Sequence, residues 1–255
     1  MQKAHEFAFY EPALLKQLSI YKENQQAIID DKLLFHRITR ILRLTIQDTF
    51  LLFDRQQHMQ FELIIAEPKK KQIQAIVVKK QRNKILEPAI TFFLPILKKD
   101  ALEHTIYSMV ECGATTVQLL YTQKVQRKLN QKEFDRLQNI MIAAAEQSKN
   151  FAFPILHEPK LLQEAIPTFD SFNVVYFFDM NGKDILHCLE SIKFSSNKNF
   201  SIGLMIGPEG DLTDNEKEQL QEKRVVFCTL TPTILRAQQA AALSLGIFRS
   251  FLNKN

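Results

Sequence analysis

"IGPEGDLTDNE", residues 206–216, ends the apolar run "FSIGLMIG" (200–207) and opens the polar, helix-like stretch "TDNEKEQLQEKR" (213–224). An apolar run with little alternation reads as a strand buried on both faces. Thr213 and Glu216 have the spacing of a capping box, which ties off two helix amides that otherwise lack partners. The segment therefore reads strand, tight turn, helix. The same unit recurs outward from it. "AITFFLPIL" (89–97), "TTVQLL" (115–120), "NVVYFFD" (173–179) and "VVFCTL" (225–230) are strand-like. Helical stretches follow at about 100–112, 131–148, 183–193 and 233–250, the second with Phe134, Leu137, Ile140, Met141, Ala144 and Ala145 on one face. Strands alternating with helices predict a parallel sheet with helices on both faces, an α/β fold.

In such sheets ligands sit beyond the carboxyl ends of the strands, which is where the 207–211 turn falls. Gly207 and Gly210 allow close backbone approach. Pro208 stiffens the turn, so that Glu209 projects from a defined loop. The stretch lacks the GK[ST] of a mononucleotide loop and the spacing of GxGxxG. Taken alone, the residues fit either a well-made strand-to-helix turn or a ligand-binding one. "TLTPTILRAQQAAALSLGIF" (229–248) repeats the design, with proline in the turn and an alanine-rich helix behind it. Arg236 begins that helix, where a cation opposes the helix dipole. It reads as a ligand-facing group or as an ordinary surface arginine.

The first third differs. Residues 1–87 contain one helical pattern, "KLLFHRITRIL" (32–42), and strand-like runs at 49–54, 60–67 and 72–78, a spacing that suggests a small barrel. They carry 15 Lys+Arg against 10 Asp+Glu, whereas residues 88–255 carry 18 of each. The basic run "KKKQIQAIVVKKQRNK" (69–84) has seven cations and no acid. A polyanion such as nucleic acid suits it, as does a solvated strand whose lysines discourage edge pairing. The charge break sets the domain boundary between residues 87 and 88. No membrane span and no secretory signal are expected. Cys112, Cys188 and Cys228 are widely spaced and odd in number, which argues against a disulfide framework and for a reducing, cytoplasmic setting. The six histidines lack metal-ligand spacing, so no metal is expected. Ser244 in "LSLG" is no nucleophile elbow.

With both C-terminal stretches in view, the chain resembles the SPOUT methyltransferases, and most of all the RsmE family, whose motifs read IGPEGGF…E and LGxRILRxETA. "LLFHRITRILRLTIQDTFLLFD" (33–54), "LKKDALEHTIYSMVECGATTVQLL" (97–120) and "IMIAAAEQSKNFAFPIL" (140–156) are similar to three further family segments, in the same order. The resemblance implies a PUA-like RNA-binding β-barrel over 1–87. It also implies a SPOUT domain over 88–255 with a C-terminal trefoil knot, acting as a homodimer. The implied activity is methylation of N3 of a uridine in 16S ribosomal RNA, with S-adenosyl-L-methionine (SAM) as methyl donor and the small ribosomal subunit as partner.

Carried over by position, Ile206, Gly207, Pro208, Glu209 and Gly210 form one wall of the SAM pocket. Leu230, Ile234, Leu235 and Arg236 form a second, and Phe178 supplies a third. Arg236 and Glu209 are the implied catalytic pair. His36, Arg37, Arg40 and Arg43 lie in the segment implied to meet RNA. The chain departs from the family at Asp211 and Thr231, where the motifs have glycine, and at Gln238 and Gln239, where they have glutamate and threonine. It departs also at Ser108, Cys112 and Asn150, and at "HEF" (5–7), which lacks an arginine before Phe7. These departures keep two alternatives in play: an RNA-binding relative with weakened catalysis, and a SPOUT enzyme with another RNA target.

Overall fold

The computed structural model describes residues 6–190, 192 and 200–252. His5 of the "HEF" stretch, and residues 191 and 193 of the expected 183–193 helix, lie outside them. The chain forms two compact units, Met1–Lys84 with Ala145–Ala152, and Ile85–Ala144 with Phe153–Asn255.

The first unit is built on a mixed five-stranded sheet in the order β1-β3-β4-β5-β2. Its long members are β4 (Gln57–Glu67) and β5 (Gln72–Arg82), antiparallel partners that place Met59, Phe61 and Leu63 beside Ile73, Ala75 and Val77 in one core. Alternation sends the residues between them to the other face. β3 (Thr49–Phe53) pairs antiparallel with β4 and parallel with β1 (Phe7–Tyr10). β2 (Gln26–Ile29) closes the other edge on β5. β1 and β2 are edge strands, so ladder hydrogen bonds among the described residues do not close a full barrel. α1 (Pro12–Leu18) starts on a proline and buries Leu15 and Leu18. α2 (Lys32–His36) is capped by Asp31, which accepts from the Leu34 amide at 2.7 Å. The expected single helix over 32–42 is thus α2 continued by a π-helical turn, Arg37–Ile41.

The second unit is a six-stranded sheet in the order β11-β9-β10-β6-β7-β8, parallel throughout. β6 (Ala89–Pro95), α3 (Lys99–Glu111), β7 (Thr116–Tyr121), α4 (Gln131–Ser148) and β8 (Ile155–Leu161) run outward in one direction. After α5 (Leu162–Ala165) and a 3-10 turn (Ile166–Ser171) the chain returns to the far side of β6. There β9 (Val174–Asp184), α6 (Ile185–Glu190), β10 (Ser201–Ile206), α7 (Asp214–Glu222), β11 (Val226–Thr229) and α8 (Ala237–Leu252) complete it. Phe93, Val175, Phe177 and Met205 pack against residues of α5, α7 and the 3-10 turn on one face. On the other, Tyr176 and Phe178 meet Phe248 of α8, with ring centroids 4.9 and 6.0 Å apart. Both faces are covered, as near-continuous apolar strands require.

Two buried features were not foreseen. Arg249 donates to the carbonyls of Pro88 (2.9 Å) and Gly113 (2.7 Å), while its Nε has no hydrogen-bond partner among the described residues. Burial lowers its pKa to about 10. Cys188 and Cys228 are joined as a disulfide and Cys112 is free, a single bridge where the cysteine spacing argued against a disulfide framework. The two are 40 residues apart, and only the packing of α6 against β11 brings them together.

Candidate functional site

Strand order reverses around β6 and β10, and the chain steps over β9 to reach β11. The carboxyl ends of β9, β10 and β11 therefore lie side by side, with Ile206 opposite Phe178 and Phe227 opposite Phe177. Such a reversal point leaves a crevice at the strand ends. Beyond Phe178, β9 continues and pairs Lys183 and Asp184 with Cys228 and Thr229. A Cβ on Gly182 would stand 2.4 Å from the Cys228 nitrogen, so only glycine admits this approach.

The 207–213 turn is anchored on several sides. Asp211 takes the left-handed backbone region (φ 58°) and donates its amide to the Pro208 carbonyl at 2.9 Å. A Cβ on Gly207 would meet the Asp211 carboxylate at 2.9 Å. Glu209 accepts from the Lys98 amide at 2.9 Å. Lys124 Nζ donates to the carbonyls of Gly210 (2.9 Å) and Leu212 (3.1 Å). The capping box forms as expected, and the buried Glu216 carboxylate also accepts from the Gln123 amide at 2.8 Å.

Lys217, one turn into α7, links two parts of the region. Its Nζ donates to Asp179 at 2.6 Å and to Asp211 at 2.7 Å. Burial penalises the Asp179 charge, but the Lys217 ammonium and the Asn181 amide outweigh it and hold the pKa below the ordinary aspartate value. The same pairs raise the Lys217 pKa against the cost of its own burial.

A cleft opens midway along β9, past its last pair with β10, and beyond the end of β11. Phe178, Asp179 and Met180 form one side; Thr229, Leu230, Thr231, Thr233, Ile234 and Leu235 form the other, with Ala240 at the back. Its volume is about 80 Å³, smaller than a typical small-molecule site, so a guest would extend out through its open mouth. Ile234 is 84% exposed at the mouth, so an apolar side chain stands free to fold over a guest. Of the residues expected to form the pocket, Phe178, Leu230, Ile234 and Leu235 come together here. Ile206, Gly207, Pro208, Glu209 and Gly210 lie outside the lining, as does Arg236. Arg236 is exposed just before α8, its carbonyl accepting from the Ala240 amide at 2.9 Å. Asp179, Met180 and the threonines were missed. Asp179 ends the quoted apolar run "NVVYFFD", which could have pointed to it.

Of the residues expected to meet RNA, His36, Arg40 and Arg43 are exposed. Arg37 is engaged internally. It donates to both oxygens of Glu146 (3.2 and 2.7 Å) and lies 4.5 Å over the Phe9 ring. Among the described residues no group of three or more His, Cys, Asp or Glu could hold a metal ion, and no helix is long and apolar enough to cross a membrane.

A family model described as an RNA methyltransferase domain matches residues 83–249. The ribosomal RNA small subunit methyltransferase E of Rickettsia conorii is 26% identical over 216 residues, covering 84% of this chain and 85% of that protein. The protein of the same name from Bacillus subtilis is 25% identical over 218 residues, covering 83% and 85%. The crystal structure of a ribosomal RNA small subunit methyltransferase E from Neisseria gonorrhoeae, bound to S-adenosyl methionine, superposes with a TM-score of 0.78 at 23% identity. The match covers 96% of this chain and 98% of that one.

Proposed function

The chain belongs to the RNA methyltransferase domain family, and from that premise we propose that it methylates N3 of a uridine in 16S ribosomal RNA, using SAM. The observation that carries the reading is the cleft between the middle of β9 and the segment that follows β11, with the exposed Arg236 next in sequence to its lining residue Leu235. The lining fits the donor: Leu230, Ile234, Leu235 and Ala240 offer an apolar slot for an adenine ring, and the charged Asp179 carboxylate suits a cationic group.

When bound, SAM supplies a methyl group activated on a sulfonium. The chain's own task is to orient the uracil and to stabilise the negative charge that N3 gains as its proton leaves. Arg236 can present its guanidinium to a ring carbonyl oxygen. Glu209, held on the Lys98 amide, serves to fix the 207–213 turn. The proton is then passed to water rather than to a dedicated side chain. The uridine must be unstacked to enter, as enzymes acting on a base require.

Several further features follow from the same reading. The protein acts as a cytoplasmic homodimer on the small subunit, its first unit serves as the RNA-binding module, and the path of β9, β10 and β11 threads a trefoil knot. The tight approach of Gly182 to Cys228 is what a chain passing through a loop requires.

Arg236→Ala is expected to reduce methyl transfer at least a hundredfold, the scale of losing one charge-stabilising donor, while SAM binding measured by calorimetry is retained. Near-normal turnover would remove Arg236 from the mechanism. Mass spectrometry of ribosomal RNA from a strain lacking the protein tests the reaction itself: an unchanged N3-methyluridine content would overturn it.

A further inference from the structure

The first unit holds a cavity of about 230 Å³ that is separate from the cleft above. It lies on the sheet face turned away from the core. His58 and Gln60 of β4 stand directly opposite Gln81 and Lys79 of β5, so alternation brings all four to one face. Phe151 and Lys149, from the 145–152 segment, complete the wall with Glu6 and Leu51. Phe151 is fixed between Phe53 and His58, with ring centroids at 4.5 and 4.9 Å. The His58 ring nitrogens are hydrogen-bonded to the side-chain amides of Asn83 at 2.8 Å and Gln81 at 3.2 Å. Gln60 donates to Glu6 at 2.5 Å. Lys149 is exposed and its Nζ donates to the Glu146 carbonyl at 3.0 Å; partial desolvation lowers its pKa although Glu6 and Glu146 oppose the shift. Lys79 is exposed and has no side-chain partner among the described residues.

We propose that this cavity is a second nucleotide pocket, which takes one unstacked base of the RNA and sets its phosphates on Lys79 and Lys149. The inference rests on the reading of the chain as an RNA methyltransferase. Lysines alone would suit any polyanion, and the Glu6 carboxylate in the wall disfavours a bare one. Fixed aromatic rings beside amide groups are what an extruded base needs, since it is recognised by stacking and by hydrogen bonds along its edge. The cavity is too small for a duplex and has room for a single base.

The test is binding of a fluorescently labelled single-stranded 12-nucleotide RNA to the full chain. Lys79→Gln and Gln81→Ala change side chains outside the core. Each is expected to weaken binding about fivefold, the scale of one hydrogen bond or phosphate contact, and Lys79→Gln to reduce the salt slope by about one. Lys16→Gln, an equal charge change on the exposed face of α1, is expected to bind like wild type. Uridine monophosphate is expected to displace the RNA at concentrations where inorganic phosphate does not. Wild-type affinity in both pocket variants overturns the proposal, as does equal displacement by the two competitors. Methylation of small-subunit RNA by the same wild-type preparation separates the failures. Methylation with unaffected variants sinks the pocket alone; weakened variants without methylation sink the enzymatic reading alone.

Discussion

Lys217 stands between Asp179 and Asp211, one carboxylate at the edge of the cleft and one at the end of the anchored turn. The folded-state pKa of Asp179 is depressed below its ordinary value of 3.8. Its contribution is therefore present above that value and is lost only as pH falls through the lower folded pKa. Wild-type SAM affinity should thus be flat between pH 7 and pH 5. Lys217→Met removes the ammonium and leaves burial opposed only by the Asn181 amide, which moves the Asp179 pKa upward. The variant is expected to bind SAM several-fold more weakly at pH 5 than at pH 7 by calorimetry. A flat profile in the variant would detach Asp179 from the cofactor. Asp211, where the family motif has glycine, takes part in the same bridge and spans a backbone conformation that ordinarily favours glycine. Lys217 gives that departure a structural partner.

At the scale of elements, the start of α7 shows how local and tertiary roles divide. Thr213→Ala removes the cap together with an exposed 3.1 Å bond from its hydroxyl to the Gln123 side chain, and is expected to cost about 1 kcal/mol. Glu216→Ala should cost more, about 2–3 kcal/mol, because it also strands the Gln123 amide beside a buried site. Urea denaturation midpoints check both, and equal costs would mean that the Gln123 bond contributes nothing. The capping box was legible because its spacing is local. α4 was legible over its full length, 131–148, because one apolar face repeats at the helical period. β1, β2 and β8 were not. The first two have four residues each, and β8 (ILHEPKL) is mostly exposed or half-buried, so neither length nor pattern marks them. α5, with four residues, escaped for the same reason.

For the whole molecule, the surplus of five cations lies entirely in residues 1–87, the remainder being balanced. RNA affinity is therefore expected to fall steeply with salt, by about tenfold or more between 50 and 200 mM if about three phosphates are contacted. Fluorescence anisotropy over that range checks it, and a flat response would leave the basic surface without a nucleic-acid role. By itself, the sequence determined the α/β class, the strand-turn-helix units and the two bends that flank the C-terminal strands. Each of these depends on hydrophobic period or on turn and cap chemistry over a few neighbouring residues. Only the tertiary structure decided that the cleft lies between β9 and β11 and that Glu209 is spent on the Lys98 amide. It alone engaged Arg37 with Glu146 and joined Cys188 to Cys228. Those outcomes depend on which distant segments pack together, and packing between residues tens of positions apart leaves no period in the chain to read.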